Sequence, residues 1–181
     1  MVKLTQLWFV AAIMIMLVVS GCKWKQQTSA ESATQAHVGN TKGFTAPDFT
    51  IKTIDGNTVS LHQLISDKPT LVYFFATWCP YCRADFAVID KVYPEYKDKV
   101  NFLAIDIDRS ESATKIADYK QSNNHAFIDF APADAKVLSV YGVSSTTTKF
   151  AINKDGLILW RGSGNVDEKT WRTLLDGLAT S

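Results

Sequence analysis

Apolar residues run unbroken from Leu7 to Val19 and stop at Ser20-Gly21-Cys22, with Lys3 the only charge in the first 22 residues. An apolar core followed by small side chains is the outline of a signal peptide over residues 1–21. It is shorter than the ~20 apolar residues that a membrane-spanning helix needs, though an uncleaved anchor with an incidental cysteine stays open. Residues 22–43 are then expected to be Cys22 followed by a flexible tether, because the stretch after the cysteine is polar and small and has no period. About twenty flexible residues reach ~25 Å on average. His37 lies there and is expected to be a solvated linker residue.

Residues 44–181 carry the pattern of one domain. Phe49, Ile51 and Ile54 lead into Asp55-Gly56-Asn57, a turn signal, with Val59 and Leu61 beyond it, so a short hairpin is expected. Residues 70–77, TLVYFFAT, read as a strand buried on both faces. Over 80–97 apolar positions recur at helical spacing, with Phe86, Ile89, Tyr93 and Tyr96 on one side, and Pro94 predicts a kink or an early end. A second buried strand is expected over 100–107, a helix over 111–121 capped by Ser110, a strand over 125–130, and a helix capped by Asp134 running to Tyr141. The alternation from Thr148 to Trp160 around Asn153-Lys154-Asp155-Gly156 predicts a hairpin. Trp171, Leu174, Leu175 and Leu178 mark the inward stripe of a closing helix. Strands alternating with helices, then a hairpin and a last helix, predict an α/β fold: a sheet with helices on both faces, opening on a right-handed β-α-β unit.

Composition adds what the domain is not. A length of 181 residues with 46% hydrophobic and 20% charged positions fits one globular domain with a real core. With 19 basic against 18 acidic residues the net charge is +1, which offers no basic face to nucleic acid. Cysteine usage then locates the chemistry. Two of the three cysteines stand in Trp78-Cys79-Pro80-Tyr81-Cys82, where the central strand ends and the next helix begins. A structural disulfide, half a metal site and a redox centre are the three readings. A structural zinc site takes four ligands, whereas Cys22 is across the tether and His62 and His125 have no ligand spacing; each is expected on the surface or in a loop. A disulfide spanning two residues constrains little of the unfolded chain. At a helix N-terminus, by contrast, unpaired N–H groups and the dipole favour a thiolate, the attacking species in disulfide exchange. Pro80 suits the first helical position. Cys82, one turn on, can reach back to Cys79, so an exposed attacking thiol and a sheltered resolving thiol are expected. Asp106 and Asp108 fall at a strand end, where solvation by a loop is expected.

Two resemblances extend this reading. Val19-Ser20-Gly21-Cys22 is similar to the bacterial lipobox, which implies lipid on Cys22, a membrane anchor and an extracytoplasmic domain. Residues 44–179 resemble the thioredoxin superfamily, more narrowly the TlpA/ResA-type membrane-tethered thiol–disulfide oxidoreductases. The stretches that carry the likeness are APDFTIKTIDGNTVSL, KPTLVYFFATWCPYCR and YGVSSTTTKFAINKDGLI. The resemblance implies a thioredoxin-like fold: a central mixed sheet flanked by helices, with an extra N-terminal β-hairpin. It implies catalysis by Cys79 and Cys82, with Asp85 one helical turn after Cys82 as acceptor or relay of the resolving thiol's proton; a solvated helix carboxylate is the alternative. Trp78 would pack beside the cysteines and shape the client surface, unless it is a plain core tryptophan. Pro80-Tyr81 is the glutaredoxin-like dipeptide between the sulfurs, and Thr146, Thr147 and Thr148 form the loop that receives the client backbone. The family's cis-proline is replaced by Thr147. A cis bond before a non-proline residue costs ~2.5–4 kcal/mol, so a trans bond or a reshaped loop is expected, with a new hydroxyl facing the dithiol. The implied partners are client proteins with disulfides or thiols and a membrane or periplasmic redox protein. The chain would act as a monomer without a cofactor or resident metal. A copper chaperone on the same scaffold is the second reading, since Cu(I) favours thiolates and His125 is the one histidine able to approach. A peroxidase motif is absent, because its proline and hydroxyl positions hold Val72 and Ala76.

Overall fold

In the computed structural model, which describes residues 37–181, Thr50–Lys52 (β1) and Thr58–Ser60 (β2) pair antiparallel as the expected hairpin. The leader, Cys22 and the tether before His37 lie outside the described residues. The last residues read as tether, 37–43, are fastened to the domain: Gly39 N donates to Thr45 O at 2.9 Å, Gly43 N to Ile158 O at 2.9 Å, and Arg161 to Asn40 O at 3.0 Å. After β2 comes Leu61–Asp67 (α1), a helix that the periodicity reading passed over. Its signal is a capping box, in which Ser60 accepts from Gln63 N while the Gln63 side chain reaches back to Ser60 N.

Thr70–Phe75 (β3) is buried at all six positions, as a strand covered on both faces must be. Pro80–Val92 (α2) follows and ends, as Pro94 predicts, in a 3₁₀ turn over Tyr93–Glu95. Asn101–Asp106 (β4) runs parallel to β3. Ala113–Ser122 (α3) is capped by Ser112 and not by Ser110, because Asp108 Oδ1 captures both the N–H and the hydroxyl of Ser110. The strand expected over 125–130 contracts to Asp129–Ala131 (β5). Asn124 takes a left-handed conformation at φ 57°, and His125 turns inward to Asp90. Ala135–Val140 (α4), capped by Asp134, Thr148–Ile152 (β6), Ile158–Gly162 (β7) and Glu168–Ala179 (α5) complete the chain. The sheet order is β5-β4-β3-β6-β7, with β6 antiparallel to its neighbours.

Alternation along β3 sorts two cores. Leu71, Tyr73 and Phe75 face α2, α3 and α5, where Phe86, Ile116, Trp171 and Leu175 pack. Val72 and Phe74 face the hairpin, α1 and α4 through Phe49, Leu61, Ile65 and Val137. Phe86 is fully buried among Tyr73, Phe75 and Phe130, at ring distances of 5.1, 5.7 and 5.7 Å.

A cluster of acids at the end of β4 anchors the segment before Cys79, against the expectation of simple loop solvation. Glu111 accepts from Thr77 N at 2.9 Å and from the Thr77 hydroxyl, and it pairs with Lys115. Asp108 accepts from the Trp78 indole N–H at 2.8 Å; donors from Ser110 and then Trp78 hold its pKa down, to about 2. Asp106 is fully buried, with Oδ1 accepting from Asp108 N and Oδ2 without a partner. Burial pushes its pKa up to about 8, and the charges of Glu111 and Asp108 add to the rise.

Two outcomes follow from this packing. Phe86→Ala is expected to cost about 3–5 kcal/mol in urea unfolding, while Phe127→Ala, at an exposed position, changes stability by less than about 0.5 kcal/mol. Asp106 is protonated when folded at pH values where the unfolded chain, with a carboxyl pKa near 4, has lost that proton. Its contribution therefore weakens as pH rises from about 4 to about 8 and levels off above that. Asp106→Asn removes this dependence, so the fall in Tm between pH 5 and pH 8 is expected to be smaller than in the parent protein.

Candidate active site

The site is built where β3 stops. Cys79 N donates to Ala76 O at 3.1 Å, which turns the chain out of the strand. Cys79 is the N-cap of α2, with φ −74° and ψ 113°, and Pro80 occupies the first turn. Cys79 Sγ accepts the Cys82 N–H at 3.0 Å. A sulfur therefore takes the place usually filled by a serine or aspartate oxygen, where one orphan N–H and the positive end of the helix meet it. Cys79 and Cys82 are joined as a disulfide, with their Cα atoms 5.3 Å apart.

The two thiols were expected to differ in exposure, but the disulfide buries both: Cys79 is 1% and Cys82 0% accessible. What is exposed is their rim. Trp78 is 57% and Tyr81 66% accessible, and Pro80 is also exposed, so Trp78 is not a core tryptophan.

The threonine loop is arranged differently from expectation. The Thr146–Thr147 bond is trans, since no cis bond occurs among the described residues, and the reshaping falls on Thr147, with φ +62°. The hydroxyl facing the dithiol is that of Thr146, 3.3 Å from Cys79 Sγ. The Thr147 hydroxyl turns away, accepting from Gly164 N at 2.9 Å and donating to Thr146 O at 2.6 Å. Thr148 is buried and donates to Ser145 O at 2.9 Å.

Asp85 is not a solvated carboxylate. It is buried on the inner face of α2, one turn after Cys82, and Lys149 Nζ lies 2.8 Å from its Oδ2. The Tyr73 hydroxyl donates to the same oxygen at 2.9 Å, and Val166 N donates to Oδ1 at 3.2 Å. Tyr73 and Lys149 stand directly opposite each other on β3 and β6, so the strand register aims both at the helix. Burial, then the Asp85 carboxylate, drives the Tyr73 phenol far above its ordinary range. Burial lowers the Lys149 ammonium, and Asp85 opposes that fall. Sequence reasoning missed Lys149 and the Gly164–Asn165–Val166 segment, whose Asn165 side chain donates to Tyr81 O at 2.6 Å. No spacing rule links position 85 to 149 or to 164.

His125, the histidine offered to a copper reading, directs Nδ1 to Asp90 at 2.9 Å and stacks on Phe130. His62 is exposed, and its backbone N donates to Asp48. Among the described residues, no group of three or more His, Cys, Asp or Glu side chains is arranged to hold a metal ion.

Comparison with known proteins places this geometry. A family model described as AhpC/TSA matches residues 43–161. The thioredoxin-like protein YneN of Bacillus subtilis is 28% identical over 172 residues, which cover 93% of this chain and 96% of YneN. The thiol-disulfide oxidoreductase ResA of Bacillus thuringiensis is 30% identical over 118 residues, 65% of this chain and 66% of that protein. Among solved structures, the exposed lipoprotein thioredoxin of Streptococcus pneumoniae aligns with a TM-score of 0.63 at 23% identity, over 73% of this chain and all of that one, a likeness of fold. With more than half of its length matched by the family model, the chain belongs to the AhpC/TSA family and, within the thioredoxin superfamily, to the ResA-type proteins.

Proposed function

We propose that this thiol–disulfide oxidoreductase exchanges disulfides with client proteins outside the cytoplasm, through Cys79 as attacking and Cys82 as resolving residue. The observation that carries the reading is the Cys79 sulfur at the N-cap of α2, accepting the Cys82 N–H at 3.0 Å with Cys82 in bonding reach. In the reducing direction, the Cys79 thiolate attacks one sulfur of a client disulfide and expels the other as thiolate. The Cys82 thiolate then attacks Cys79 Sγ, freeing the second client sulfur and leaving the Cys79–Cys82 disulfide. Two electrons pass to the client, and a redox partner returns them; the oxidising direction is the same path reversed. Asp85, one turn from Cys82, takes the resolving thiol's proton. Trp78, Pro80 and Tyr81 form the exposed apolar rim that meets the client, and the Thr146–Thr148 loop receives its backbone. The reaction needs no cofactor, and the chain acts as a monomer.

The reading places the domain on a membrane through lipid on Cys22. The lipobox-like Val19–Cys22 supports this, as does a structural relative described as an exposed lipoprotein. No helix among the described residues is long and apolar enough to cross a membrane.

The reduced domain is expected to accelerate insulin reduction by dithiothreitol, and Cys79→Ser to abolish the acceleration. Cys82→Ala is expected to accumulate covalent client adducts that dissolve on adding reductant; their absence from a folded Cys82→Ala protein mixed with oxidised client would remove the assigned roles. In cells, Cys22→Ala is expected to move the protein from the membrane fraction to the soluble fraction.

A further inference from the structure

Lys149 sits in β6 with no exposed surface, on the sheet face that carries Ala151 and Tyr73 and that Trp171 of α5 covers. A buried ammonium is costly unless each of its three protons finds an acceptor. Here all three do: Asp85 Oδ2 at 2.8 Å, the Thr147 carbonyl at 3.0 Å, and the Gly164 carbonyl. The Tyr73 and Trp171 rings also lie 5.1 and 5.5 Å from Nζ. Neutralising Asp85 would need only one of these acceptors. The other two are backbone carbonyls of the two loops beside the dithiol.

Thr147 is the residue that needs holding. Its φ of +62° lies in the left-handed region, which is unfavourable for a β-branched residue and persists only when the surroundings over-determine it. Three hydrogen bonds supply that constraint: Lys149 to its carbonyl, Gly164 N to its hydroxyl, and its hydroxyl to Thr146 O. The Gly164–Val166 segment is fixed in turn by Asn165 on Tyr81 O and by Val166 N on Asp85. These bonds form a ring around the dithiol, and Lys149 binds Asp85, Thr147 and Gly164 at once. The ring determines where the Thr146 hydroxyl stands, 3.3 Å from Cys79 Sγ. In the reduced protein a hydroxyl so placed donates to the thiolate and favours it.

We propose that Lys149 is a positioning residue of the exchange site: its ammonium holds Thr147 in the left-handed conformation and thereby keeps the Thr146 hydroxyl against the Cys79 sulfur. The inference rests on the dithiol reading above, but its main readout, the ionisation of Cys79, requires no client.

Lys149→Met alone would strand a buried carboxylate and destabilise the fold for an unrelated reason, so the test uses Asp85→Asn as its background. The Cys79 midpoint is read from the pH dependence of iodoacetamide alkylation of the reduced protein. The Asp85→Asn/Lys149→Met protein is expected to show a midpoint about one pH unit above that of Asp85→Asn, the shift for losing one hydrogen bond to a charged group. Thr146→Val is expected to raise the midpoint by itself and to add little to the double variant, since both act through one hydroxyl. Equal midpoints in the Asp85→Asn and double-variant proteins overturn the proposal. Should the double variant fail to fold, nitrogen-15 NMR of the unaltered protein decides. Slowly exchanging Lys149 ammonium protons coupled to the Thr147 and Gly164 carbonyl carbons are expected, and rapidly exchanging ones overturn it. A shifted midpoint in a protein that never exchanges disulfides would leave the role of Lys149 standing and remove the functional reading instead.

Discussion

The rest of the molecule is organised by β3, whose six side chains from Thr70 to Phe75 are all buried. Each large apolar side chain removed from water stabilises the fold by roughly 1.5–3 kcal/mol, and this strand can collect that gain on both faces only if each face is roofed. Helices α2, α3 and α5 roof one face; the hairpin, α1 and α4 roof the other. Strands β4 and β6 occupy both edges of β3 through regular ladders, so its backbone is consumed as well. Such a strand has no lateral access to solvent, and its chemistry can appear only beyond its carboxyl end, the general location of sites in open α/β sheets. Cys79 lies four residues past Phe75, already inside the cap of the next helix.

That location separates reactivity from recognition. The Cys79 sulfur is held by the backbone N–H of the helix cap on one side and by the Thr146 side-chain hydroxyl on the other. Trp78, Pro80 and Tyr81 are the exposed residues of the same segment, and the proposed function gives recognition to them. The Trp78 indole N–H is fixed on Asp108 at 2.8 Å, so this exposed ring is oriented and not loose. A rigid, half-wet aromatic presents contact area at little entropic cost.

Local patterns made most of this legible, and the failures have two causes. The burial of β3, the end of α2 before Pro94, the cap at Asp134 and the inward stripe of α5 all depend on neighbours in sequence, and all are found. The loss of α1 was avoidable, because Ser60 and Gln63 spell a capping box. Lys149 was not recoverable in the same way. Alternation in Thr-Lys-Phe-Ala-Ile suggests an outward lysine, yet β6 lies between β3 and β7 and has no outward face. The pairing of Lys149 with Asp85 joins residues 64 positions apart through the β3–β6 register. Likewise, the hydroxyl beside the sulfur could be assigned to Thr147 or Thr146 only once the left-handed turn at Thr147 was known.

The charges around the dithiol are balanced on both sides of it. On the α2 side, the Asp85 carboxylate is matched by the Lys149 ammonium within 2.8 Å. On the β4 side, Glu111 is matched by Lys115, and Asp106 keeps its proton through neutral pH because burial outweighs its single backbone donor. Each deeply buried charge near the motif is therefore compensated, and opposite charges a few ångströms apart leave little field beyond them. The Cys82 N–H at the start of α2 remains directed at the Cys79 sulfur, at 3.0 Å. In this arrangement the ion pairs set geometry, by tying α2, β4, β6 and the Gly164 loop to the segment from Thr77 to Cys82, and the groups that meet the Cys79 sulfur directly are the Cys82 N–H and the Thr146 hydroxyl. A substitution that unbalances either cluster acts on both, because the same side chains that cancel charge also hold the loops in register.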